Sequence, residues 1–294
     1  MSAHRSPSWL PLLAILGSIT FLCLGTSWAK NTLFPTIGAQ GTTGLRIGFA
    51  AVLMLLFWRP WQLPLARKDR LPIALYGCAL GLMCLAFYMS LLTLPFGISV
   101  AVQFAGPLTV AVCSSRRALD FVWIAVAIAG LGLLLPLGQD VNVGALDPVG
   151  LMWSALGGIS WACYILFGKR LAHLPIRQSA PWGTVVAALV VLPVGIAHAG
   201  TALLSPGILI TAIGVALVSC AIPFTLELFA LKHLPKNVYG TMTSMEPVVA
   251  ALLALMFLGE VLTLHQTVAI GLIMLASMGC AFTAKPQAQL QGQH

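Results

Sequence analysis

Charge is what this chain has least of. Asp, Glu, Lys and Arg make up 7% of its 294 residues, against about 25% in an ordinary soluble domain, so no charged shell exists to hold a folded surface in water. Acids are scarcer than bases, 7 against 15, and the net charge of +8 raises nucleic acid as a partner. That partnership needs cations gathered on one face with aromatics among them. Here the cations fall in short gaps between apolar runs, which excludes it. The chain also lacks a CxxC pair and has no cysteine with a histidine at ligand spacing, so neither a metal site nor a disulfide framework is indicated. Cys23, Cys78, Cys84, Cys113, Cys163, Cys220 and Cys280 lie within apolar runs and read as buried small hydrophobes. No GxxxxGK[ST] phosphate loop is present, which removes ATP as a driving force and leaves no cofactor indicated. His4, His173, His198, His233, His265 and His294 sit in loops, span ends or tails without matching acids, so a membrane enzyme would want for its base or metal.

What is present is apolar sequence in long runs: 59% of residues are hydrophobic and the mean hydropathy is +0.98. A bilayer core needs about 20 apolar residues in helical form. That window predicts an all-α integral membrane protein with ten transmembrane helices, at 9–29, 40–58, 71–92, 97–114, 120–137, 148–168, 180–198, 207–230, 237–257 and 263–283. All the Lys and Arg residues except Lys30 and Arg46 fall at the N-terminus, in every second gap and after the last span. The positive-inside rule then puts both termini in the cytoplasm. The opposite gaps carry Asp140, Asp147 and Glu260.

An internal repeat organises the spans. GTSWAKNTLF (Gly25 to Phe34) recurs as GISWACYILF (Gly158 to Phe167), and an offset of 140 takes Leu94-Pro95 to Leu234-Pro235, Pro107 to Pro247 and Asp120 to Glu260. The first apolar run is therefore a span and not a cleaved signal peptide, since cleavage would remove one copy of a duplicated element. Residues 9–137 form one five-helix repeat and 148–283 the other, with 284–294 a Gln-rich solvated cytoplasmic tail. Five is odd, so the second repeat enters the membrane from the opposite side. Two inverted repeats with a site between them at mid-membrane are the architecture of alternating-access transporters.

Arg46, Pro107, SMEP (Ser244 to Pro247) and LGE (Leu258 to Glu260), set in this repeat, resemble the EamA-type drug/metabolite transporter superfamily. RLPIALYG (Arg70 to Gly77), FAGPL (Phe104 to Leu108), SSRRALDFVW (Ser114 to Trp123), LPLGQD (Leu135 to Asp140) and SMEPVVAA (Ser244 to Ala251) carry a closer resemblance to its bacterial inner-membrane exporters of threonine and homoserine. The resemblance implies export of a small amino acid from the cytoplasm, and a structural or gating role for Arg46.

Four ionisable residues lie within or at the ends of spans: Lys30, Arg46, Glu227 and Glu246. Each costs about 2.5–3.5 kcal/mol at a helix centre on insertion scales. They must be paired, near an interface or facing water. Lys30 ends its span and can snorkel. Glu227 and Glu246 map onto Phe87 and Gly106 in the first repeat, so either acid can bind a cation or proton once per molecule. The competing reading is that each satisfies backbone amides freed by a neighbouring proline. Neutral polar residues add four stripes: Ser27 with Asn31, their repeat partners Ser160 with Tyr164, Ser99 with Gln103 and Gly106, and Tyr239 with Thr243 and Glu246. Trp28, Tyr88, Phe104 and Trp161 are candidate walls, although single polar or aromatic residues in spans more often serve packing.

These readings converge on a secondary transporter for a zwitterion. Glu227 or Glu246 would take the ammonium, and helix ends broken at Pro107 or Pro247 would take the carboxylate. An acid removed from water favours its neutral form, so a proton is the candidate coupling ion. An exporter of another metabolite or drug in the same superfamily remains the alternative.

Overall fold

The computed structural model describes residues 9–113, 118–134, 146–171, 173–233, 242–243 and 245–283, and among them no strand occurs. The cause is the solvent the sequence implies: in hydrocarbon an unpaired backbone group costs several kcal/mol, so each segment closes its own hydrogen bonds as a helix. In order these are α1 (Leu10–Thr32), α2 (Phe34–Trp58), α3 (Arg67–Ser90), α4 (Phe96–Cys113), α5 (Ala118–Leu134), α6 (Pro148–Arg170), α7 (Ile176–Ala199), α8 (Pro206–Ala216), α9 (Ile222–His233), α10 (Glu246–Leu258) and α11 (Leu264–Thr283). A π-helical turn, Leu217–Ala221, joins α8 to α9.

Among the described residues, six helical stretches are long and apolar enough to cross a membrane: Leu10–Thr32, Phe34–Trp58, Arg67–Ser90, Pro148–Arg170, Ile176–Leu204 and Pro206–Glu227. Phe96–Pro107, Glu246–Leu258 and Leu264–Ala276 are shorter apolar helices. Their outward faces are bare hydrocarbon, with Phe57 and Met256 each 74% exposed and Ile210 73%. In water such a surface would aggregate; here it is the lipid-facing side of an integral membrane protein. Cys78 is exposed with it, which corrects the expectation that every cysteine is buried. The first eight residues, the tail, Asp140 and Tyr239 lie outside the described residues.

The sequence predicts a gap of ten residues between the first two spans, and the structure closes it. Only Leu33 separates α1 from α2, and Pro35 lies in the first turn of α2. The chain turns at Gly38 instead, with φ 67° and ψ −179°. A side chain is strained in that conformation, and the His198 ring occupies the space a Cβ would need. Elsewhere the ends follow local chemistry. Asp147 caps α6, its carboxylate accepting from the Val149 amide at 3.1 Å, with Pro148 in the first turn.

Lipid tails offer no hydrophobic drive between helices, so close backbone approach does the packing. Helix α2 lies on α7 through Gly41, Gly44 and Gly48 against Leu192 and Gly195. Helix α4 crosses α6 where Gly106 meets the Gly158 carbonyl, and α5 lies on α11 through Gly130. Helix α3 packs on α6 and α7, and α1 on α9 and α10. These pairings leave a space at the centre, where α1, α2, α3, α4, α6, α7, α9 and α10 face one another.

Candidate functional site

The central space is a cavity of about 220 Å³, below the roughly 300–1,000 Å³ of sites for drug-sized ligands. Each helix presents one stripe to it. Helix α1 contributes Ile15, Ser18, Ile19, Leu22, Cys23 and Thr26, a set that recurs once per turn, and α4 contributes Phe96, Val100 and Gln103. Helix α3 contributes Tyr76, Leu80, Met83, Cys84 and Phe87. Most of this wall is apolar, so the few polar groups determine what it can hold.

Those groups include one cation and two acids, Arg46, Glu227 and Glu246. Glu246 stands in the first turn of α10, where the partial positive charge of a helix start favours an anion. It pairs with no cation among the described residues. Glu227 lies on α9 one turn beyond Pro223, and Ser18 donates to the Pro223 carbonyl at 2.8 Å. Tyr76 and Tyr164 close one wall, with rings stacked at 4.7 Å between centroids and hydroxyls bonded at 2.9 Å. Gln103 is 3% exposed and packs on Gly157, and its Nε2 has no partner among the described residues.

Arg46 is 5% exposed. Its Nε donates to Ser219 Oγ at 2.7 Å and its Nη2 to the Ser219 carbonyl at 3.0 Å, and the guanidinium stacks over the Tyr88 ring at 5.2 Å. The reason is local to the π-helical turn. Pro223, four residues past Ser219, has no N–H to give that carbonyl, and Arg46 supplies the donor. Gly25 brings α1 against the same turn, for a Cβ there would stand 2.6 Å from that of Ser219. A π-turn of this kind is frequent at functional sites because it bares backbone groups inside a helix.

Of the residues singled out in the sequence, the cavity gathers Arg46, Gln103, Trp161, Tyr164, Glu227, Thr243 and Glu246. It does not gather Ser27, Asn31, Tyr88 or Ser160. Ser27 and Asn31 lie in a separate crevice with Trp28 and Phe257, where the Asn31 amide donates to the Phe257 carbonyl at 3.3 Å. One residue along a helix turns the side chain by about 100°, and α1 faces the cavity with Thr26, one position earlier. On α6 the facing residues are Trp161 and Tyr164, while Ser160 donates to Leu156 within its own helix at 2.8 Å. Tyr88 is fully buried beneath Arg46. Phe104 sits behind Trp161, edge to face at 5.6 Å.

Of the two prolines expected to break helices, Pro107 does not and Pro247 stands at a helix start. Helix α4 runs on through Pro107 to Cys113, so no helix end opens there, and Gly158 packs on the Gln103 carbonyl that Pro107 leaves without an amide partner. Pro247 is buried in the first turn of α10, and the cavity is met by its neighbour Glu246. Lys30 does not snorkel freely. It pairs with Glu260 Oε1 at 2.6 Å, and Glu260 Oε2 accepts from the Phe96 amide that opens α4 at 2.7 Å. Sequence reasoning passed over Tyr76, Ser18 and Ser219; the motif RLPIALYG holds the first, and its period along α3 was the available signal.

Residues 148–282 match the EamA-like transporter family. Over 290 residues, 99% of this chain and 97% of the relative, the sequence is 41% identical to Threonine/homoserine exporter RhtA of Escherichia coli K12, and equally to the protein of that name from Salmonella typhimurium. It is 28% identical over 288 residues to Uncharacterized inner membrane transporter YedA of Escherichia coli K12, covering 90% of each. A solved crystal structure 16% identical in sequence superposes with a TM-score of 0.57, over 93% of this chain and 96% of that one. At that identity the likeness is one of fold alone.

Proposed function

This chain belongs to the EamA-like transporter family, and from that premise we propose that it exports small amino acids, threonine and homoserine foremost, from the cytoplasm across a bacterial inner membrane. The observation that carries the reading is the cavity: about 220 Å³ with one cation and two acids on its wall. A zwitterion brings one charge of each sign, and a helical bundle in lipid admits charge only where it is answered. Glu227 and Glu246 offer the acceptor for the ammonium, with Thr243 and Tyr164 placed for a side-chain hydroxyl.

Alternating access is the proposed mechanism, with residues 9–137 and 148–283 as two inverted five-helix repeats. The packing supports it. Exchanging the first five spans for the last five maps α2 with α7, α4 with α10 and α5 with α11 each onto itself, and α3 with α6 onto α9 with α1; all of these pairs are in contact. Both termini would lie in the cytoplasm. A reporter fused after Arg177 should then read cytoplasmic, and an external reading would overturn the topology.

The direct test is counterflow in proteoliposomes loaded with unlabelled threonine. Labelled threonine and homoserine outside should accumulate transiently, and neither should do so in empty liposomes. The apolar wall of Leu80, Met83 and Phe87 favours a second reading, a more apolar metabolite of similar size. Counterflow of leucine or phenylalanine with none of threonine would select it.

A further inference from the structure

The ammonium end of a zwitterion has two candidate acids, while for the carboxylate end Pro107 opens no helix break and the helix start at Pro247 already carries the acid Glu246. We propose that Arg46 is the specificity-determining residue that binds the substrate's carboxylate, with Gln103 as a second donor. The inference rests on the amino-acid export reading and names which wall of the cavity meets which end of the molecule.

Arg46 is left with donors that no oxygen among the described residues takes up. A guanidinium carries five N–H groups in a planar fork, and Arg46 spends two on Ser219. Beyond these the guanidinium meets the Cys84 sulfur and no further oxygen among the described residues, although the side chain is 5% exposed, and no carboxylate there pairs with it. A buried cation held by one hydroxyl, one carbonyl, a thiol and a ring face, with no anion beside it, is costly in a membrane. Such a cost is relieved by an anion that arrives in the cavity it lines.

Gln103 makes the same demand independently, since its Nε2 is buried in the same cavity without a partner among the described residues. Together these groups offer donors and the acids offer acceptors, which is the polarity of an α-amino acid. Ser219 and the Tyr88 ring hold the guanidinium plane in place before the substrate arrives, so little freedom is lost on binding.

The test compares threonine with threonine amide, which has the same size and ammonium but a neutral carboxamide, as inhibitors of threonine counterflow by the full chain in proteoliposomes. Wild type should prefer threonine by about 30-fold, the scale of one lost charge-assisted hydrogen bond. In Arg46→Gln the preference should fall to about twofold, while discrimination against the 2-hydroxy acid that lacks the ammonium stays as in wild type. An Arg46→Gln protein that keeps the wild-type preference overturns the assignment. Arg46→Lys keeps a charge near the Ser219 carbonyl but not the fork, and guards against a glutamine variant that fails to fold. Its preference should drop to about fivefold with monodisperse protein, and an unchanged value overturns the assignment equally. Wild type that is inhibited by neither threonine nor homoserine would instead overturn the export reading itself.

Discussion

Glu246→Gln should lower proton-driven threonine accumulation in vesicles by about tenfold to a hundredfold, the scale of losing one hydrogen bond to a charged group. The carboxyl stands on the cavity wall at the start of α10 and pairs with no cation among the described residues. The amide keeps its size and an acceptor oxygen but carries neither charge nor titratable proton. Glu227→Gln, on the same cavity's wall from α9, should reduce transport in the same range. The informative outcome is the difference between assays. If one acid binds the ammonium and the other carries the proton, one variant loses counterflow and uphill movement together, and the other loses uphill movement while counterflow persists. Normal accumulation in both variants would remove the cation and proton site. Loss of folded protein in both would return the acids to the structural reading.

The second large effect is on assembly. A Cβ on Gly106 would overlap the Gly158 carbonyl oxygen, and both belong to helix backbones that cannot swing aside. Overpacking in a core costs about 1–3 kcal/mol where side chains can give, and here only a shift of α4 against α6 can relieve it. Gly106→Leu should therefore remove most folded, membrane-inserted protein, read by size exclusion of a fluorescent fusion in detergent. Gly207→Leu serves as control, because a Cβ at Gly207 meets nothing within 4 Å. If Gly106→Leu yielded monodisperse protein at the control level, close contact of α4 and α6 would not be needed for the fold. The crossing also bears on the site. It seats Gln103 against Gly157 and holds Trp161 and Tyr164 toward the cavity, so a shift here displaces one wall of the substrate space.

Hydropathy alone determined that this chain lives in lipid and is helical, because apolar runs of bilayer length leave the backbone no other way to satisfy its hydrogen bonds. The sequence also picked out Arg46, Glu227 and Glu246, since a charge inside an apolar run is costly enough to stand out whatever its surroundings. Which face of each helix meets the cavity was beyond it. Spans this apolar have almost no polar side from which to read a phase, so Ser27 was chosen on α1 where Thr26 faces in, and Ser160 on α6 where Trp161 does. Only the tertiary structure settled the partners across the bundle. Lys30 finds Glu260, 230 residues away, and Arg46 finds Ser219, 173 residues away. Those pairings depend on how glycine contacts and the π-turn before Pro223 bring distant helices together, and one residue of rotation in any helix would undo them.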